Sequence, residues 1–206
     1  MNKRDEALNF SVAQVITMQD ELIAIWHMAP DAALSLGDKI GQLIGDQHRA
    51  NFDLWHTEDE ARTPGATDAQ IADVKRRIDT TNQKRNDLSE QIDAFLLEVL
   101  AEHGLPAENA PLNSESPGLM IDRLSILALK IYHTREESER TDAPNGHVER
   151  NVARLMILED QRADLALCLD ALWKETMAGT RRFKLYRQLK MYNDPSLNPA
   201  IYTKRV

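Results

Sequence analysis

Residues spaced alternately three and four apart form a long seam between positions 71 and 99. The members of this seam are Ile71, Val74, Ile78, Thr81, Arg85, Leu88, Ile92, Phe95 and Val99. The spacing places the side chains on one stripe of an α-helix and is typical of helices packed nearly antiparallel in a bundle. A half-buried strand would instead show apolar and polar residues in strict alternation. Because sustained alternation is hardly present in the chain, the sequence predicts an all-α protein.

Proline, glycine and capping residues divide the chain into five predicted long helices. These helices run from about Asp5 to Trp26, from near Asp38 to the segment TPGATD, from Thr67 or Asp68 to His103, from Ser116 through His133, and from about His147 to Met177. Ser116 fits the N-cap of the fourth helix and Pro117 its first position. Residues 180–206 follow as a basic segment, for which we predict a short helix packed on the others. A single-domain bundle accommodates all 206 residues.

The net charge and its distribution along the chain limit the kinds of partner that we expect. The net charge is −8, and the acidic excess lies before the basic segment. Broad nucleic-acid binding is disfavoured, because it requires an extended basic surface that neutralises phosphates. The basic segment alone leaves room for contact with RNA, anionic lipid or a phosphorylated metabolite.

Cysteine content and hydropathy indicate the compartment. The one cysteine, Cys168, lies between Leu167 and Leu169, and we expect it to be a buried thiol. No apolar run approaches the roughly 18 residues of a membrane span, and residues 1–10 lack the apolar core of a signal peptide. We therefore expect a cytoplasmic protein without a membrane segment. A homo-oligomer is compatible with this pattern, because heptad seams serve a dimer as readily as a monomer.

Polar side chains interrupt the inner stripes of several predicted helices. In LWHTEDEAR, residues 54–62, a helical projection at about 100° per residue turns Trp55, Glu58, Asp59 and Arg62 inward and places His56 near the edge of the stripe. The third helix has Arg85 in its seam, with Asn82 and Asn86 beside it. On the fourth helix Asp122 shares a face with His133, and Arg123 shares another with Lys130.

Two interpretations of this polar layer stay open. Buried charges are costly unless they are paired, so the layer is either an internal salt-bridge network or a binding pocket. Arg62, Arg85, Arg123 and Lys130, if they converge, offer donors suited to phosphate or carboxylate. Backbone N–H groups at the start of the fourth helix would add to such an anion site.

The pocket interpretation leads to a function. We expect binding of a small anionic metabolite such as a phosphorylated or carboxylated sugar or nucleotide, and the sequence leaves open whether the protein also transforms it. The candidate acids and bases are His56, Glu58 and Asp59. The candidate binding residues are Trp55, Arg62, Asn82, Arg85, Asn86, Glu115, Asp122, Arg123 and Lys130. The alternative is a non-catalytic interaction or scaffold protein, in which buried salt bridges set the helix register.

A metal site is the third interpretation. His56 and Asp59 are three residues apart, as are His133 and Glu136, so each pair presents two ligands from one helical turn. The Glu-x-x-His signature of di-iron bundles is absent. No Gly-rich phosphate loop or nucleophile elbow is present either, and the sequence names no cofactor.

Four segments resemble a bacterial family described as domain of unknown function 4254. They are LWHTEDEAR, VKRRIDTTNQKRNDLSEQID, NSESPGLMIDRLSILALKIYH and FKLYRQLKMYNDPSLNPAIY, within residues 40–206. The family pattern matches Trp55, His56, Glu58 and Asp59; Asn82, Gln83, Arg85, Asn86 and Asp87; Asn113, Ser114, Glu115, Pro117 and Gly118; and residues 121–124. Ser116 departs from the threonine more usual there and keeps the hydroxyl. The resemblance implies membership of the family and no particular reaction.

Overall fold

The computed structural model describes residues 10–32 and 34–189, together with residues 196, 197 and 199. These residues form five helices: α1 Val12–Met28, α2 Lys39–Glu60, α3 Asp68–Ala101, α4 Pro117–Ser138 and α5 His147–Met177. Within the same residues the only β-type pairing is an isolated bridge between Leu112 and Arg182. The prediction of an all-α bundle with five long helices is confirmed.

Local capping chemistry sets the helix starts. The side chain of Ser11 accepts from the N–H of Gln14, so α1 begins at Val12. Residues 10 and 11 were predicted to be helical and are not. The rest of the predicted extension towards Asp5 lies outside the described residues. Asp38 caps α2, and Thr67 forms a capping box with Gln70 at the start of α3.

Helix α4 lies at the centre of the bundle and packs against each of the other four helices. Ile121, Leu124 and Leu129 on this helix are fully buried. Most positions around α4 are apolar, which suits this central position. A helix that is apolar on several sides must be covered on several sides.

The basic segment corrects one prediction. Residues 181–189 are not helical, and residues 190–206, apart from 196, 197 and 199, lie outside the described residues. The N–H of Arg182 donates to the carbonyl of Pro111 at 3.0 Å, and the N–H of Asn113 donates to the carbonyl of Arg182 at 2.7 Å. Phe183 is buried in the same hydrophobic cluster as residues of α3, α4 and α5. These bonds and this anchor replace the intrahelical bonds of the predicted short helix.

Cys168 is exposed, contrary to the expected buried thiol. The apolar side of α5 is formed by Leu165, Leu169 and Leu172, all buried, and Cys168 lies off this stripe. The leucines next to Cys168 in sequence therefore do not bury it, because successive residues point in directions about 100° apart around the helix.

The described helices include none with the length and apolar content needed to cross a membrane.

Candidate functional site

A cleft of about 400 Å³ opens between α2, α3 and α4. Its lining residues are Asn51, Leu54, Trp55, Glu58 and Asp59 of α2, Arg62 in the turn just after α2, Arg85 of α3, and Ile126 and Leu129 of α4. The structure therefore brings together five of the predicted site residues, namely Trp55, Glu58, Asp59, Arg62 and Arg85. The cleft exists because the inner stripe of α2 turns polar in its last two turns, where close apolar packing ends.

The two arginines of the cleft differ in exposure. Arg62, just after the end of α2, is 68% exposed and pairs with Glu58 at 3.2 Å. Arg85 is only 19% exposed, and its Nη1 donates to Oδ2 of Asp122 at 3.1 Å. Among the described residues, Asp59 has no ion-pair partner. The cleft thus contains a partly buried cation, an exposed cation and, among the described residues, a carboxylate without an ion-pair partner.

Asp122 anchors a buried polar network behind Arg85. Gln47 and Asn51 of α2 donate from their amide nitrogens to Oδ1 of Asp122. Burial raises the pKa of Asp122, and the Arg85 guanidinium and these amide donors oppose that rise. The amide of Asn51 also donates to Oγ of Ser125 at 2.8 Å, which extends the network along α4.

The network ends at His48, which is fully buried. Its Nε2 lies 3.0 Å from the carbonyl of Gln19 and must donate to it, so Nδ1 accepts from the Ser125 hydroxyl at 2.6 Å. Burial lowers the pKa of His48 to about 3, which keeps the ring neutral. Although Ser125 and His48 resemble a nucleophile and its base, both are inaccessible to a substrate. The inner part of the polar layer is therefore filled by its own hydrogen bonds, as the structural interpretation expected.

The condition for a four-cation anion site, that Arg62, Arg85, Arg123 and Lys130 converge, is not met. Arg123 and Lys130 line a second cleft of about 700 Å³ between α4 and α5, away from Arg62 and Arg85. In that cleft Arg123 donates to both carboxylate oxygens of Glu115, at 2.8 and 3.0 Å. Asp122 and Arg123 are adjacent in sequence and therefore point to different sides of α4.

The start of α4 is also closed to an external anion. The N–H of Gly118 donates to Oδ1 of Asp93 at 2.6 Å. Ser116 occupies the N-cap position as predicted, but its hydroxyl donates to the other oxygen of Asp93 instead of capping the helix. Asp93, which the sequence did not single out, already supplies the negative charge at this helix terminus.

Two further candidates lie outside the cleft. Asn86 is buried on α3 and Asn82 is partly buried, and neither lines the cleft of Arg85. Their seam neighbour Arg85 reaches the cleft because its side chain is long enough to bridge from α3 to Asp122.

His56 belongs to a different group of side chains from the other candidates. One ring nitrogen from each of His27, His56 and His133 lies within 4.8 Å of the other two. Of the predicted metal ligands, His56 and His133 are thus brought together, Glu136 contacts Nδ1 of His133 at 2.8 Å, and Asp59 lines the cleft instead. His27 of α1 was not predicted.

A simple sequence signal identifies all three histidines. Each follows an aromatic residue, in the pairs Trp26–His27, Trp55–His56 and Tyr132–His133, whereas the other three histidines do not. In the structure the indole of Trp55 stacks on the ring of His133, with centroids 4.9 Å apart and planes at 8°. Trp55 therefore separates the three histidines from the cleft and contacts both.

Residues 41–185 match the model of a family described as protein of unknown function (DUF4254). The chain belongs to this family. The cleft residues all lie within the DUF4254 match, as do His56 and His133, while His27 precedes it. No curated protein and no solved structure matches the chain.

Proposed function

We propose that this DUF4254 protein binds a small hydroxylated metabolite that carries one anionic group, in the cleft between α2, α3 and α4. A phosphorylated or carboxylated sugar or nucleotide has this chemistry. The observation that carries the proposal is Arg85, a partly buried guanidinium held by Asp122 at the wall of the cleft.

Arg85 is suited to an anion because its donors are not saturated. Within the described residues only Nη1 has a hydrogen-bond partner, and Nε is buried without one. A guanidinium whose position is fixed beforehand loses little conformational entropy when it binds a carboxylate or phosphate. Arg62, exposed at the rim, supplies a second cation that can close over the ligand.

The acids of the cleft indicate hydroxyl groups in the ligand. Glu58 and Asp59 are acceptors only when ionised, and hydroxyl groups are donors that match them. With Asp122 behind Arg85, the carboxylates outnumber the two arginines, which disfavours a polyanion such as nucleic acid.

Trp55 supplies an apolar wall for a sugar or base ring. Its indole is kept in position by the stack on His133, so the wall is rigid before a ligand arrives. A volume of about 400 Å³ lies in the range of pockets for small molecules.

The acid–base part of the proposal rests on Glu58 and Asp59. They are neighbours at the cleft wall, and a ligand hydroxyl bound between them would be within reach of proton transfer. His56 takes no part in this step, because it lines a separate groove with Arg76, Arg77 and Thr80.

Isothermal titration calorimetry with glucose 6-phosphate, glucuronate and UMP tests the proposal. We expect saturable binding of at least one probe at one site per chain. Arg62→Ala should weaken this binding about tenfold, the value of one charge-assisted hydrogen bond. Arg85→Lys should also weaken binding about tenfold, because lysine lacks the planar fork of the guanidinium. It keeps a positive charge for the ion pair with Asp122.

Arg123→Ala is the matched control. Arg123 is also an exposed arginine paired with a glutamate, but it lies in the cleft between α4 and α5. If Arg123→Ala reduces affinity and the cleft variants do not, the ligand binds elsewhere and the assignment is wrong. If no probe binds, the alternative of a non-catalytic interaction protein with a structural polar network is favoured.

A further inference from the structure

Three histidines bring one ring nitrogen each within 4.8 Å of one another. Nε2 of His27, of His56 and of His133 are each shielded from solvent and unpartnered within the described residues. The three rings come from α1, α2 and α4, which are distant in sequence. An unpartnered buried nitrogen destabilises the fold, so three at one place require an explanation.

The hydrogen bonds made by Nδ1 of His27 and of His133 leave Nε2 of both rings available as a metal ligand. Nδ1 of His27 lies 2.8 Å from the carbonyl of Ile23, to which it must donate, and Nδ1 of His133 lies 2.8 Å from a carboxylate oxygen of Glu136. A proton on Nδ1 leaves Nε2 with its lone pair free. Carbonyl and carboxylate acceptors behind the ring are the usual partners of metal-binding histidines.

We propose that His27, His56 and His133 bind a divalent first-row transition metal ion such as Zn²⁺ through their Nε2 atoms. Imidazole nitrogens suit Zn²⁺, Fe²⁺, Ni²⁺ and Cu²⁺ and do not suit Mg²⁺ or Ca²⁺. Three histidine ligands leave a coordination position for water or a substrate atom, the arrangement of catalytic rather than structural zinc sites.

The observed separation is compatible with coordination after small side-chain rotations. Zinc–nitrogen bonds of about 2.0–2.1 Å in a tetrahedral site place two nitrogens about 3.4 Å apart. Since the ring nitrogens lie within 4.8 Å of one another, the widest pair has to close by at most about 1.4 Å.

Negative charge lies close to the three histidines. A carboxylate oxygen of Glu136 contacts Nδ1 of His133 at 2.8 Å, and the carboxylates of Asp53 and Asp59 act electrostatically on His56. These carboxylates would partly balance the charge of a bound cation.

Aromatic packing alone does not account for the group. His27 stacks on Tyr132, with ring centroids 4.5 Å apart, and packs edge-on against Phe52, so these rings do contribute to the core. Packing, however, is satisfied by phenylalanine or leucine and gives no reason for three nitrogens to converge or for Glu136 to orient one of them.

Metal titration of tag-free, metal-stripped protein tests the site. Calorimetry with ZnCl₂ should show one ion per chain with submicromolar affinity, and MgCl₂ or CaCl₂ should show none. CoCl₂ should produce the visible absorption bands of a nitrogen-ligated Co²⁺ of low coordination number. Absence of tight zinc binding or of these bands in the wild-type protein overturns the proposal.

Variants locate the ion. His27→Gln and His133→Gln should each weaken zinc binding at least a hundredfold, while the exposed His103→Gln should match the wild type. Glu136→Gln should weaken binding about tenfold, because it alters only the acceptor behind His133. Circular dichroism confirms that each variant is folded. If the first two variants bind zinc as the wild type does, the assigned ligands are wrong.

The metal site and the cleft are separable by experiment. Arg62→Ala lowers affinity for the anionic probes if the cleft proposal holds and should leave zinc affinity unchanged. His27→Gln removes zinc without altering the lining of the cleft. Each proposal can therefore fail while the other stands.

Discussion

Asp93 joins two helices through a single carboxylate. It lies on α3, is almost completely buried, and accepts from the backbone N–H of Gly118 and the hydroxyl of Ser116 at the start of α4. Burial raises the pKa of Asp93 to about 6, and the two hydrogen bonds only partly oppose this. The carboxyl is thus easier to bury protonated than ionised.

The raised pKa of Asp93 predicts a stability that falls with pH. The pKa is about 6 in the folded state against 3.8 in the unfolded chain, so between these values the folded state binds more protons. The free energy of unfolding should therefore lose on the order of 2–3 kcal/mol from this group between pH 4 and pH 7. Urea unfolding of wild-type protein and Asp93→Asn across this range measures the contribution.

Asparagine does not titrate; its amide oxygen can accept from the N–H of Gly118, and its amide nitrogen can donate to the hydroxyl oxygen of Ser116. We expect the difference in unfolding free energy, wild type minus Asp93→Asn, to decrease as pH rises through 5 and 6. The other carboxyl groups titrate in both proteins and cancel in this difference. A difference that is constant with pH would show that Asp93 ionises normally.

The packing of α3 against α4 depends on one glycine. A Cβ at Gly118 would lie 2.3 Å from the carbonyl oxygen of Ser89 and 2.9 Å from Cγ of Asp93. The carbonyl belongs to the backbone of α3 and cannot rotate away, so a larger residue must separate the two helices.

Gly118→Ala should lower the free energy of unfolding by about 1–3 kcal/mol, the usual cost of overpacking. Gly45→Ala on α2 is the control, because its Cβ would meet chiefly the Cδ1 of Leu36, the end of a flexible side chain. Alanine also favours a helix over glycine by roughly 1 kcal/mol, so Gly45→Ala should be nearly neutral. Equal losses in urea unfolding would contradict the role of the Ser89 carbonyl.

The non-helical segment after α5, residues 181–189, completes the hydrophobic core. Phe183 is 1% exposed and packs in the cluster formed by α1 to α5. Its neighbour Arg182 is held by backbone bonds to Pro111 and Asn113 of the loop between α3 and α4. The segment therefore connects parts of the chain that are about 70 residues apart in sequence.

Phe183→Ala should reduce the free energy of unfolding by about 3–5 kcal/mol, as for other buried phenylalanines. Tyr186→Ala provides the comparison, because Tyr186 lies in the same segment but is 42% exposed. Its loss should be below about 1 kcal/mol. Thermal unfolding of both variants distinguishes an anchored segment from one that lies loosely on the surface, for which the two losses would be similar.

Helix number, most helix ends and the central burial of α4 were predictable from the sequence. These features depend on apolar spacing and caps, which involve residues within a few positions of one another. In LWHTEDEAR the helical spacing correctly placed Trp55, Glu58, Asp59 and Arg62 along one cleft. The prediction that all four turn inward is only partly correct, because Asp59 and Arg62 are exposed. The family membership also followed from the sequence, through contiguous motifs that need no knowledge of packing.

The arrangement between helices was not predictable in the same way. Arg123 and Lys130 lie in a different cleft from Arg62 and Arg85, and His27 joins His56 and His133 across three helices. The rotation of each helix about its axis and its stagger against its neighbours decide such meetings. Both depend on how side chains interdigitate across the whole core, so local spacing identified candidate side chains and the tertiary packing selected which of them share a site.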